Sequence, residues 1–173
     1  MLFEKFGEFD SAAELNRAAE AQKNEGDTEA VKAIAEENGL DPEDAEDYLD
    51  GYTDTLATVT SAAVGKLDRE AGDLELEGML ADWKDMLAGW CMENYTLAAA
   101  VRRKGKSLAG YIAALIAFSF ENKVQVSGKI TDITMVEHNG KKEKIQTPLY
   151  MGVPGRTQAK KLAYEYYTGE TEK

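Results

Sequence analysis

The chain has 173 residues, 43% apolar and 9% aromatic, with a single cysteine and a formal net charge of −12. That length and apolar share suit one packed domain and argue against disorder, and the lone Cys91 excludes a disulfide or a multi-cysteine metal site within the chain. All of the net charge resides in residues 1–50, where 16 Asp or Glu face 4 Lys or Arg, whereas residues 51–173 hold 16 of each.

The polarity continues inside the neutral part, with −6 over residues 51–100 and +6 over residues 101–173. Fixed charge sets long-range steering, so an acidic N-terminal face repels nucleic acid phosphates and attracts the basic clefts of proteins that hold nucleic acid. A binding protein is therefore the expectation ahead of an enzyme. Residues 1–9 alternate charge and aromatics without an apolar core, so no secretory signal is expected. The longest apolar run, residues 108–120, is too short to span a bilayer, and a cytoplasmic protein without membrane contact is expected.

In chain order, Ser11 and Glu14 form a capping box that opens a helix ending at Gly26. Asp27 opens a second, with Val31, Ile34 and Ala35 inward, ending at Asn38 and Gly39. Asp41 caps a third, with Pro42 at its first position and acids in its first turn, ending at Gly51. Leu56, Val59, Ala63, Val64 and Leu67 give the 3.6-residue stripe of a fourth. Residues 76–92 make a broad apolar face, and residues 95–104 and 107–122 follow as two helices broken at Gly105. Residues 124–149 then alternate around His138, Asn139 and Gly140, the signature of a hairpin turn. An isolated hairpin is marginal in water, so it must pack on the helices or meet a partner. Thr157 is expected to cap the last helix.

The fold expected is mainly α, a bundle of about seven to eight helices with one small β-hairpin near 124–149. An acidic three-helix segment, 1–52, precedes a helical core, 53–173, that carries the hairpin and a C-terminal helix at 156–168.

The second and third helices have helix-turn-helix spacing, but the third, in the reading position, carries acids and no base, the wrong sign for a DNA groove. Five acids in residues 43–50 lie within ~12 Å of helix, one per ~2.4 Å, against one per ~1.7 Å along duplex DNA. Asp41, Glu43, Asp44, Glu46, Asp47 and Asp50 could thus stand in for phosphates in a groove of another protein, or could form a solvated face that keeps the chain soluble. Ala45, Tyr48, Leu49 and Tyr52 are the expected core side of this helix. A calcium loop starting at Asp41 fails, because Glu46 stands where glycine is required and Tyr52 where the bidentate glutamate is required.

Arg102, Arg103, Lys104 and Lys106 form the sharpest basic cluster. It either caps helix ends and pairs with the acidic half, or contacts a nucleic acid backbone or an acidic partner. With Lys141, Lys142, Lys144, Lys160 and Lys161 on the same surface it would support a weak nucleic acid contact. No catalytic residues, metal ligands or cofactor are expected: His138 sits in a turn, Cys91 falls on an apolar helix face, and Gly152 and Gly155 lack the spacing and lysine of a phosphate loop. Tyr164, Tyr166 and Tyr167 on the last helix are expected in core and rim ahead of a base-stacking platform.

Two stretches, AAVRRKGKSLAGYIAALIAFSF at 99–120 and GVPGRTQAKKLAYEYY at 152–167, resemble the PcfK-like proteins of conjugative plasmids and integrative elements of Gram-positive gut bacteria. Their pattern is a helix ending in a basic Lys-Ser-Leu step, an apolar helix, and a terminal helix finishing in paired tyrosines. The acidic stretch ENGLDPEDAEDYLDG at 37–51 is similar to the longer members, whereas the hairpin departs from the shorter ones. Relatives of that group inhibit the type II CRISPR effector nuclease. The resemblance implies an anti-CRISPR inhibitor with such a nuclease as partner and brings no catalytic residue. The alternative is a conjugation accessory protein that binds nucleic acid or a relaxosome component through the basic C-terminal half.

Overall fold

The computed structural model describes residues 2–170. In chain order the elements are α1 (Ala12–Glu25), α2 (Thr28–Glu37), α3 (Pro42–Asp50), α4 (Val59–Asp73), α5 (Met79–Glu93), α6 (Tyr95–Arg102), α7 (Leu108–Glu121), β1 (Val124–Gln125), α8 (Gly128–Thr131), β2 (Met135–His138), β3 (Lys141–Lys144), β4 (Tyr150–Met151) and α9 (Arg156–Thr168). The fold is mainly α with two small antiparallel two-stranded sheets.

Local chemistry starts most helices where the sequence places them. Ser11 Oγ accepts from Glu14 N at 3.1 Å, and Asp41 Oδ1 accepts from Glu43 N at 2.9 Å. The Glu14 carboxylate reaches past the cap residue and accepts from Asp10 N. A capping box between Thr58 and Ser61 opens α4. α5 begins at Met79, later than the apolar pattern suggests, because Gly78 breaks the chain with φ 55°. α6 stops at Arg102, two residues early, because the next carbonyls turn toward a buried lysine described below. Gly155, not Thr157, is the N-cap of α9, and no side chain caps it.

Two cores share α4. Leu15, Val31, Ile34, Tyr48, Leu56 and Ala62 belong to the first, beneath α1–α3. Leu67, Trp83, Leu87, Trp90, Leu97, Leu108, Tyr111, Leu115 and Tyr167 belong to the second, built by α4–α7 and α9. Each fully buried large side chain contributes about 1.5–3 kcal/mol. Where the two meet, the α2–α3 turn lies directly on α4: a Cβ on Gly65 would stand 2.3 Å from the Asn38 carbonyl oxygen, and one on Gly39 2.3 Å from that of Gly65. This backbone-on-backbone contact sets the direction in which α3 leaves the body.

Residues 124–151 are more divided than the alternation implies. β2 and β3 form the expected hairpin, with Asn139 and Gly140 at φ 52° and 75°. The outer strand segments pair separately, Val124 with Met151 and Gln125 with Tyr150, and the single turn α8 lies between. All eight residues of β2 and β3 are exposed, and no helix packs closely against them. The hairpin therefore does not dock on the helices.

Candidate functional site

Ala45 and Tyr48 are buried and fasten α3 to the first core, which turns its other faces outward. Asp41, Glu43, Glu46, Asp47 and Asp50 are exposed and Asp44 is half-buried. Tyr52 is 80% exposed instead of core-facing, because Gly51 at φ 82° ends the helical period before it. None of the six carboxylates forms an ion pair with the described residues. Lys23 donates to the Tyr48 carbonyl and lies 4.3 Å from the centre of its ring. It serves the C-terminal end of the helix, where cations are favoured, and pairs with none of the six acids. Burial, then the Glu20 carboxylate, pushes the Tyr48 hydroxyl up.

Beside this face runs a groove of about 400 Å³ between α2, α3 and α4. Leu40, Pro42 and Ala45 line it together with Glu46 and two cations, Lys32 and Arg69. The acidic helix thus offers a partner both charge and a small apolar recess.

The basic cluster has a different fate. Arg102 is completely buried, and its Nη2 donates to Asn38 Oδ1 at 2.7 Å. Its guanidinium lies 5.8 Å from the centre of the Phe3 ring, and its Nε and Nη1 have no protein partner. Burial holds it below the usual guanidinium range, against the pull of Glu8, Glu70, Glu14 and Asp10. Arg102 therefore cannot reach a nucleic acid backbone, which corrects its expected role. Lys104 donates its backbone N–H to Asp10 at 2.9 Å and places its ammonium 3.9 Å from Glu14. Lys106 is half-buried, with Nζ 4.7 Å from the centre of the Tyr166 ring. Arg103 and Lys104 remain exposed. On the last helix, Lys161 is 3.8 Å from Glu165.

The organiser of this region is Lys66, 1% exposed, which the sequence reading passed over. Its ammonium pairs with Glu8 at 2.5 Å, donates to the carbonyls of Arg103 and Lys106 at 2.8 Å each, and lies 3.9 Å from Glu70. Those carbonyl contacts are why α6 unwinds after Arg102. Glu70 also accepts from Leu108 N at 2.6 Å, and burial pushes its carboxyl above the ordinary value. The signal was present: Ala63, Lys66, Leu67 and Glu70 follow one inward stripe, so two charges occupy core-facing positions.

The stretches behind the family resemblance build this same region. Ser107 caps α7, donating its own N–H to the Tyr166 hydroxyl at 3.2 Å. The Tyr111 hydroxyl donates to the Ala159 carbonyl at 3.1 Å, and Tyr167 packs 6.0 Å from it, centre to centre. Cys91 is buried among the helices, with its thiol pushed up to about 12, and His138 is exposed at the end of β2. Among the described residues no three His, Cys, Asp or Glu side chains are grouped to hold a metal ion, and no helix is long and apolar enough to cross a membrane. Comparison with known protein families, curated proteins and solved structures finds no match.

Proposed function

We propose that this chain is a non-enzymatic binding protein of the bacterial cytoplasm, encoded on a mobile element, that inhibits a type II CRISPR effector nuclease. In this reading α3 occupies a phosphate-binding groove of the nuclease, with Asp41, Glu43, Asp44, Glu46, Asp47 and Asp50 as phosphate surrogates. The observation that carries it is the state of those carboxylates: five are exposed and Asp44 half-buried around a helix anchored by Ala45 and Tyr48, and none forms an ion pair among the described residues. Such a nuclease holds its RNA–DNA heteroduplex in a positively charged channel and reads a short DNA motif with arginines. An acidic helix complements both features, and the surrounding negative field speeds the encounter.

The test is capture of the purified guide-loaded nuclease by this protein, with and without target DNA already bound. Binding that disappears when DNA is loaded supports occupation of the nucleic acid channel; binding to both forms alike contradicts it.

A second reading keeps a nucleic acid contact for the protein itself, as in a conjugation accessory factor. It is favoured by the exposure of Lys141, Lys142 and Lys144 on β3, together with Arg103 and Lys104. Phosphate mimicry requires that the free protein leave duplex DNA unshifted in a low-salt gel. Retarded duplex that is released as salt rises would assign the activity to these basic residues instead.

A further inference from the structure

The groove of about 400 Å³ between α2, α3 and α4 joins an apolar wall to four charges that the fold leaves unpaired. Lys32, Ala35 and Glu36 share one face of α2, and Pro42, Ala45 and Glu46 share one face of α3, by helical spacing of three and four. Ala35, Leu40 and Ala45 are buried and form the wall. Two of these three are alanines, too short to fill the space between the helices, and it stays open. Arg69 enters from α4. Its stem lies against the α2–α3 turn, where a Cβ on Gly39 would stand 2.9 Å from Arg69 Cγ. Glycine at that position therefore gives the arginine room to lie along the groove.

Lys32, Glu36, Glu46 and Arg69 are exposed, and among the described residues none makes a side-chain hydrogen bond or an ion pair. Two cations and two carboxylates around one recess decide the charge of a ligand. A purely anionic ligand meets Glu36 and Glu46, with the exposed acids of α3 beside them, and a purely cationic one meets Lys32 and Arg69. An uncharged apolar ligand partly desolvates all four and pairs none of them. A ligand with one charge of each sign on an apolar body satisfies the rim and the wall together. The volume is at the low end of the range for ligand sites and holds roughly two residues.

We propose that this groove binds a zwitterionic apolar peptide of dipeptide size. The carboxylate pairs with the Arg69 guanidinium, whose planar fork takes both oxygens, and Lys32 adds a second cation. The ammonium lies toward Glu46 and Glu36, and the apolar side chains rest on Leu40, Pro42 and Ala45. The site belongs to the free protein and does not rest on the nuclease reading.

Titration calorimetry of the full chain at low salt with L-leucyl-L-phenylalanine tests this. Its N-acetyl and C-amide forms, which lack the ammonium and the carboxylate in turn, are measured alongside. The expected result is a dissociation constant of about 0.1 mM for the free dipeptide, weakened about 10-fold by either block. Arg69→Gln and Glu46→Gln each reproduce that loss with unchanged circular dichroism, because both side chains are exposed. In nuclear magnetic resonance spectra the amides of Gly39, Leu40 and Ala45 shift on titration. No heat and no shift up to about 5 mM dipeptide overturns the proposal. Equal binding of a blocked form overturns the zwitterionic ligand, and shifts centred on another part of the fold overturn the site. A dipeptide that fails to bind while Arg69→Gln abolishes nuclease capture overturns it too and assigns the groove to the nuclease.

Discussion

Two acidic stretches of the first fifty residues meet opposite ends. Glu8, Asp10 and Glu14, on the N-terminal arm and the start of α1, are drawn onto Lys66 and Lys104 and toward buried Arg102. The acids of α3, only some thirty residues later and denser in sequence, form no ion pair among the described residues. Composition treats the two alike. What separates them is the surface opposite: the arm crosses the turn between α6 and α7, where the basic cluster lies, while α3 is pinned by the contact of Gly39 with Gly65 so that its charged sides face outward. Part of the chain's polarity is therefore structural glue, and part stays unpaired at the surface of α3.

The comparison is broken most severely at Lys66. Lys66→Met strands Glu8 and the carbonyls of Arg103 and Lys106, and removing one member of a buried ionic group costs about 3–5 kcal/mol. Urea unfolding should report that loss, whereas Glu43→Lys with Asp47→Lys on the α3 side should change stability by less than about 1 kcal/mol. Gly65→Ala comes next. Its methyl group would collide with backbone, so α3 must shift at a cost of about 2–3 kcal/mol, read as a lowered urea midpoint.

Glu70 gives a smaller, pH-dependent effect. Its carboxyl is raised by burial, so the folded state holds the proton more tightly than the unfolded chain. That contribution to stability is complete below the ordinary value of 4.5 and is lost as pH rises through the raised value. Glu70→Gln should therefore gain stability relative to wild type as pH rises from acid toward neutral, in unfolding curves measured across that range. The smallest effect belongs to the hairpin. Gly140→Val disrupts a turn with positive φ, yet the global midpoint should move by less than about 0.5 kcal/mol while amides of β2 and β3 exchange freely.

Much of the architecture was legible because it is written locally. Ser11, Asp27, Asp41 and Ser107 each accept from a backbone N–H two or three residues on, and Asn139 with Gly140 specifies its own turn. What failed depends on distant partners. β1 and β4 are two residues each, too short to show a pattern, and pair across the whole excursion. Tyr52 keeps the helical spacing on paper, but Gly51 rotates it into solvent.

The site was half legible. The six acids of α3 could be named from composition alone, but their freedom from ion pairs depends on where distant cations lie, among them Lys23, which turns to the Tyr48 carbonyl. Arg102 looked like a phosphate contact as part of a basic run. Ala98, Val101 and Arg102 share one inward stripe, and Asn38 and Phe3 close over it from afar.

The direct measurement is inhibition of DNA cleavage by the guide-loaded nuclease, titrated with wild type and with a Glu43→Lys, Glu46→Lys, Asp47→Lys variant whose fold is verified by circular dichroism. If unpaired α3 carboxylates take the place of phosphates, three reversals at about 1 kcal/mol each weaken inhibition roughly 100-fold. Potency equal to wild type would contradict the account and reduce the acidic helix to a solvated surface.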